Sequence, residues 1–216
     1  MEGAFFMQKY VIFDIDGTLN QTEKYAFLAY QEAFQKYGIK NITQEKIKNF
    51  IGCTPQQIVE QFFQNHSIET IEIWLKEIEE YEEKYMNLYA QPFPKIKEVL
   101  LQLKKEGYKL AVCSNANKTH IEKVLKAIHL YDYFDEYQSV LQELNKTESL
   151  KYLIKRIKAN KICMVGDRKF DMDAARQNHI PFIGCEYGYA PEEIKQADII
   201  VSSPSAIYDA VKQLIG

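Results

Sequence analysis

Two rhythms of apolar positions alternate along this chain. Short runs rich in β-branched and aromatic residues fall at 10–13, 109–113, 161–165, 181–184 and 199–201, with a weaker one at 137–141. Runs of that length and content predict buried strands. The segments between them carry apolar residues three and four positions apart, the spacing of a helix face. Ile96, Leu100 and Leu103 make one such face, stopped at Gly107; Ile121, Val124, Leu125 and Ile128 make a second. A third opens at Lys146 and runs through Leu150, Leu153, Ile154 and Ile157, and Ser203-Pro204 starts a closing helix through Ile207, Val211 and Leu214.

Between the first strand and residue 88 the pattern is helical only. Phe27, Tyr30, Phe34 and Tyr37 repeat at helical spacing and end at Gly38, which can take the left-handed turn of a C-cap. Thr54-Pro55-Gln56-Gln57 reads as a helix start: threonine at the N-cap, proline at the first helical position, glutamine closing a capping box. Ile58, Val59, Phe62 and Phe63 follow as its apolar face. Trp74, Ile78, Tyr81, Tyr85 and Leu88 form the stripe of a longer helix, with the acidic run 77–83 expected to face water. Strand–helix alternation predicts an α/β fold, a doubly wound parallel sheet with helices on both faces. The helical block predicts an inserted all-helical cap. The expected division is residues 1–20 and 89–216 for the sheet domain and 21–88 for the cap, with linkers near 19–23 and 89–93. No internal repeat is present.

Composition narrows the function. A chain of 216 residues has room for one α/β domain and a small second module. The net charge of -3 supplies no basic field, which argues against nucleic acid as a partner. Fifteen tyrosines and twelve phenylalanines are expected in cores and half-buried faces rather than stacking platforms. Cys53, Cys113, Cys163 and Cys185 are too far apart for a metal knuckle or redox pair, so a reducing, cytoplasmic setting is expected. The run 4–7 has no basic flank and is too short for a signal peptide, and Met7 is an alternative start. No segment has the roughly 20 apolar residues of a membrane span. His66, His120, His129 and His179 show no ligand spacing and are assigned no role.

The chemistry gathers where strands end. Asp14 and Asp16 follow the first strand, Ser114 and Asn115 the second; Lys146 lies beyond the third, and Asp167 and Asp171 follow the fourth. In a doubly wound sheet these loops converge on one edge. Gly17 permits a tight turn directly after the paired acids. Carboxylates withdrawn from water need a counter-charge, and a divalent cation is the simplest.

These residues resemble the haloacid dehalogenase-like phosphohydrolases, with a helical cap placed as in the phosphoglycolate phosphatase-like branch. Asp14-Ile15-Asp16-Gly17-Thr18 is similar to the family's first motif, Ser114-Asn115 to its second, Lys146 to its third, and Gly166-Asp167-Arg168-Lys169-Phe170-Asp171 to its fourth. The resemblance covers nearly the whole chain and implies a Rossmann-like core. It implies a Mg²⁺-dependent phosphatase acting on a small phosphorylated metabolite through an aspartyl-phosphate, with a generic phosphate monoester as substrate class. Asp14 would be the nucleophile and Asp16 the general acid and base. Asp14 and Asp167 would hold Mg²⁺ by side chain and Asp16 by its backbone carbonyl. Ser114, Asn115, Thr18 and Lys146 would serve phosphate binding, Thr18 by orienting Asp16 or fixing the loop, and Asp171 would position Lys146 or a metal-bound water. Thr18 and Ser114 could instead form turns or caps, Asp171 could be a helix N-terminal acid, and Arg168 and Lys169 could be solvated or touch substrate.

Two departures stand out. The family's lysine is usually followed by proline, whereas Lys146 precedes Thr147-Glu148-Ser149, leaving Lys151 and Lys118 as alternatives. An acidic residue and serine commonly follow the first motif; Asn20-Gln21-Thr22 stand there, at the cap hinge, where substrate choice is set. Gly52-Cys53-Thr54, Thr22 and Tyr25 are the cap positions expected to touch substrate. A phosphosugar mutase of the β-phosphoglucomutase kind would share the aspartyl-phosphate and the cap, although Thr18 favours hydrolysis. A dehalogenase would need neither metal nor Asp16, a signalling receiver would lack the cap, and a non-catalytic phosphoacceptor or binding protein would be expected to have lost an acid. The pattern does not specify oligomeric state, and a capped enzyme of this size can work as a monomer.

Overall fold

The computed structural model describes residues 8–216 apart from 41, 65 and 141–144. Leu141, at the end of the weakest expected strand, and the apolar run before Gln8 lie outside the described residues. Six strands form one sheet: β1 (Lys9–Phe13), β2 (Lys109–Ser114), β3 (Glu136–Ser139), β4 (Lys161–Gly166), β5 (Phe182–Cys185) and β6 (Ile199–Val201). All neighbours are parallel, in the order β3-β2-β1-β4-β5-β6. The winding reverses between β1 and β4, so the crevice of the doubly wound sheet opens at the tips of those two strands.

Strand periodicity sorts the core into two layers. In β1, Val11 and Phe13 join one cluster while Tyr10 and Ile12 join the other. Helices α5 (Ile96–Lys105), α6 (Lys118–Ala127) and α9 (Ile207–Ile215) cover the first face; α7 (Lys146–Ile157) and α8 (Lys169–Gln177) cover the second. Phe13 pairs in register with Val112 of β2 and Val165 of β4, and the Asp14 N–H donates to the Val165 carbonyl at 2.9 Å. That register brings the ends of β1, β2 and β4 to one height.

Helices α1 (Glu23–Lys36), α2 (Gln44–Phe50), α3 (Pro55–Phe62) and α4 (Ile68–Tyr89) lie between β1 and α5 and share an aromatic core of their own. Trp74 is buried among Phe34, at 5.7 Å between ring centroids, and Phe63, at 4.6 Å. The capping box of Thr54 and Gln57 is formed, and Gly38 takes a φ of +70° just past α1. The two chain crossings pair with each other: Phe93 N–H donates to Leu19 O, and Gln21 N–H to Gln91 O.

One helix face departs from expectation. Leu88 is 65% exposed, and the buried stripe of α4 runs Trp74, Ile78, Met86 instead. Steps of four keep a residue within about 40° of the same face, so Glu82 falls on this stripe between Ile78 and Met86. The acidic run 77–83 is therefore not uniformly a solvated face, because Glu82 turns inward against Tyr30 and His120.

Candidate active site

The turn after β1 is built by backbone bonds to Ile15 O from Thr18, Leu19 and Asn20 N–H, with Gly17 at φ +80°. A Cβ on Gly17 would land on the Asp167 carboxylate and the Tyr189 ring. Glycine here thus serves the close approach of two loops as well as the turn.

Among the described residues, Asp14, Asp167 and Asp171 are acids whose oxygens all come within 4.8 Å of one another, and all three side chains are buried. Lys146, at the start of α7, reaches between them: its Nζ lies 2.5 Å from Asp14 Oδ1 and 2.5 Å from Asp171 Oδ1. Lys151 is exposed beside Glu148 and Lys118 is exposed on α6, so neither alternative lysine reaches the acids. Asp171 Oδ2 accepts the Arg168 N–H at 3.0 Å, so this one side chain both caps α8 and holds the lysine.

Three carboxylates face one ammonium. Burial pushes Asp14 up, Lys146 pulls it down, and Asp171 and Asp16 push it up again, leaving it at about 7. Burial raises Asp167 well above the usual carboxylate range, reinforced by Asp171 and Asp14. Burial disfavours the Lys146 ammonium, but Asp14 and Asp171 outweigh it and keep the charge in place. Asp167 Oδ2 accepts the Tyr189 N–H at 2.7 Å, while its Oδ1 is buried with no hydrogen-bond partner among the described residues. An orphaned buried carboxylate oxygen within a cluster of excess negative charge fits a hard divalent cation.

The remaining expected residues are distributed less evenly. Ser114 is buried at the tip of β2, its Oγ accepting the Ala116 N–H at 3.1 Å. The Asn115 side chain donates to Gly52 O of the cap at 2.9 Å. Asp16 points away from the acid cluster toward the cap, where Thr22 Oγ1 donates to its Oδ1 at 2.5 Å. Of the two tasks expected of Thr18, the bond that orients Asp16 is made by Thr22. Thr18 Oγ1 is buried without a partner, and its carbonyl accepts the Tyr187 hydroxyl. Arg168, expected in solvent or on substrate, is buried and donates to Glu193 and to Ile51 O of the cap.

Between cap and sheet lies a cavity of about 270 Å³, with Asp16, Thr22, Asn115, Gly52 and Cys53 in its wall. Thr54 and Tyr25, the other expected cap contacts, are not among its lining residues. A family model described as haloacid dehalogenase-like hydrolase matches residues 11–185, which span the acids, the cap and the lysine. This chain belongs to the haloacid dehalogenase-like hydrolases. It is 30% identical to PpaX of Caldanaerobacter subterraneus, named as a candidate pyrophosphatase, over 85% of this chain and 84% of that one. It is 25% identical to a phosphoglycolate phosphatase of Aquifex aeolicus over 90% and 92% of the two chains. The crystal structure of a predicted phosphatase from Clostridium acetobutylicum shares the fold, with a TM-score of 0.85 at 24% identity over 96% of this chain and all of that one. Family and relatives together make it an enzyme of the phosphatase kind.

Several parts of this hydrolase's site were not singled out in the sequence. Tyr189 supports Asp167 through its N–H and donates its hydroxyl to Glu23 at the start of α1, also at 2.5 Å. Glu82 meets His120 across the cap boundary, and Thr22 and Arg168, which the sequence marks as possible substrate contacts, also act across it. The sequence did carry a signal for Tyr189: Tyr187-Gly188-Tyr189 follows the fifth strand end, and four earlier strands had already supplied functional residues. No helix among the described residues is long and apolar enough to cross a membrane.

Proposed function

We propose that this chain is a Mg²⁺-dependent phosphatase of small organic phosphate monoesters that works through a phosphorylated Asp14. The observation that carries the reading is the buried group Asp14–Asp167–Asp171, bridged by Lys146, with Asp167 Oδ1 left without a hydrogen-bond partner among the described residues. Asp14 and Asp167 side chains and the Asp16 backbone carbonyl would hold Mg²⁺, which would neutralise the repulsion between a carboxylate and a phosphate dianion.

Asp14 Oδ attacks phosphorus, and the bond from phosphorus to the leaving oxygen breaks. Asp16, on the cavity side and oriented by Thr22, gives its proton to that oxygen. Asp16 then takes a proton from the water that attacks the phosphoryl group, and the phosphorus bond to Asp14 breaks. Two displacements replace one difficult one. Lys146, Ser114 and the Asn115 N–H stabilise charge on the phosphoryl oxygens, and Asp171 keeps Lys146 aimed at Asp14. Residues 21–88 act as the cap over a core of 1–20 and 89–216, and the substrate is a cytoplasmic metabolite.

Turnover of p-nitrophenyl phosphate with Mg²⁺ is expected to be lost in Asp14→Asn and in Asp16→Asn; full activity in either overturns the mechanism. Incubation with a hexose 1-phosphate separates the mutase alternative, because a hydrolase releases inorganic phosphate and a mutase returns the 6-phosphate.

A further inference from the structure

The cavity over Asp16 is walled by aromatic and aliphatic side chains, among them Tyr30, Phe50, Trp74 and Ile78. Its charged side chains are Asp16, Glu79 and Glu82, with His120 as the one basic group among the lining residues. No lysine or arginine lines it. None of the residues outside the described set is lysine or arginine either, since those positions read Met, Glu, Gly, Ala, Phe, Phe, Met, Asn, Asn, Leu, Gln, Glu and Leu. Lys146 and Arg168 are committed elsewhere, to the acid cluster and to Glu193. With Asp16 holding its catalytic proton, Glu79 and Glu82 still outnumber His120, so the cavity stays negative whether His120 is charged or neutral.

Glu82 is one of the polar groups of this wall. Its carboxylate is largely buried, 4.0 Å from His120 Nδ1, and faces Tyr30. Burial, opposed by His120, leaves its affinity for a proton above that of an ordinary glutamate. The buried indole N–H of Trp74, in the same wall, has no hydrogen-bond partner among the described residues. A buried acceptor and a spare donor on apolar walls suit an alcohol with hydroxyl or amino groups and some carbon surface. They do not suit a second anion, which would meet like charge in a low-dielectric space.

We propose that this enzyme selects phosphate esters whose leaving group is neutral or cationic, with Glu82 as the specificity-determining acceptor, and discriminates against anionic leaving groups such as glycolate and phosphate. This inference rests on the phosphatase reading above and separates the chain from what its relatives' names say those proteins act on.

The test is a kcat/KM panel on the full chain with Mg²⁺: p-nitrophenyl phosphate, glycerol phosphate, ethanolamine phosphate, 2-phosphoglycolate and pyrophosphate. The glycerol or ethanolamine ester is expected to exceed 2-phosphoglycolate and pyrophosphate by roughly tenfold or more, a modest demand for one like-charge contact. Glu82→Lys is expected to move the ratio of 2-phosphoglycolate to ethanolamine phosphate upward by roughly tenfold or more, and Glu82→Gln to move it the same way by less. Glu80→Gln, exposed on the outer side of α4, leaves the ratio in place. Should Glu82→Lys not fold, Glu82→Gln decides. Preference of the unmodified enzyme for 2-phosphoglycolate or pyrophosphate overturns the proposal, as does a ratio indifferent to both Glu82 variants. Failure on every ester, p-nitrophenyl phosphate included, overturns the phosphatase reading itself, and only that outcome does so.

Discussion

Asp16 is tethered at two removes. Asn20 Nδ2 donates to Thr22 Oγ1 at 2.8 Å and to the Tyr25 hydroxyl at 3.3 Å, and the Thr22 hydroxyl in turn donates a hydrogen bond to Asp16 Oδ1. Asn20 and Thr22 belong to the segment Asn20-Gln21-Thr22, where the family commonly has an acidic residue and serine, and here they form a positioning chain at the cap hinge. Thr22→Val is expected to lower kcat by roughly tenfold to a hundredfold through misplacement of the acid, with KM near the parent value. Thr22→Ser keeps the donor and should recover most of the loss. Equal effects of Val and Ser would show that packing, not the hydroxyl, matters at 22.

At the scale of elements, the loop between β4 and α8 joins sheet and cap. Arg168 donates to Ile51 O at 2.5 Å and to both oxygens of Glu193, while Glu193 also accepts the Lys169 N–H. Arg168→Ala leaves a buried carbonyl of the cap without its donor. A loss of roughly 1–2 kcal/mol is expected in urea denaturation, together with a KM that rises more than kcat falls, because the cap closes less firmly. An unchanged denaturation midpoint and KM would show that the cap is held without this arginine. Helix α4 offers the complementary lesson. Five acids among the seven residues 77–83 suggested a wet face, yet the four-residue step from Ile78 put Glu82 inside, in the wall of the cavity.

For the whole molecule, the acid cluster is expected to couple stability to pH and, on the proposed function, to metal. Asp14 at about 7 stands above the ~4 of an unfolded carboxylate, so between those values the folded chain holds a proton that the unfolded chain has released. Its stabilising contribution is therefore complete below about pH 4 and lost as pH rises to about 7. The melting temperature of the metal-free protein is expected to fall across that window, and Asp14→Asn to flatten the fall. Millimolar Mg²⁺ should raise the melting temperature more at about pH 7.5 than at about pH 5.5, because only the ionised cluster binds it well. Equal shifts at both values would count against a cation among Asp14, Asp167 and Asp171.

Much of this was legible in one dimension. Short continuous apolar runs and helical spacing are local properties, and they located the strands and the interrupting helices, as Gly17 marked the turn after Asp16. The rule that sheet loops converge predicts Asp14, Ser114, Lys146 and Asp167 at one edge of the sheet, and Asp14, Lys146 and Asp167 do meet there. Local pattern favoured Lys146 but left Lys151 and Lys118 as weaker alternatives; the tertiary structure brings Lys146 to Asp14 and Asp171 and leaves the other two exposed, Lys151 further along α7 and Lys118 on α6. Nor could it hand Thr18's expected task to Thr22 or draw Arg168 and Glu82 out of solvent. Those assignments depend on residues from cap and core meeting across scores of positions, and the cost of burying an unpaired polar group, rather than any spacing, decided who met whom.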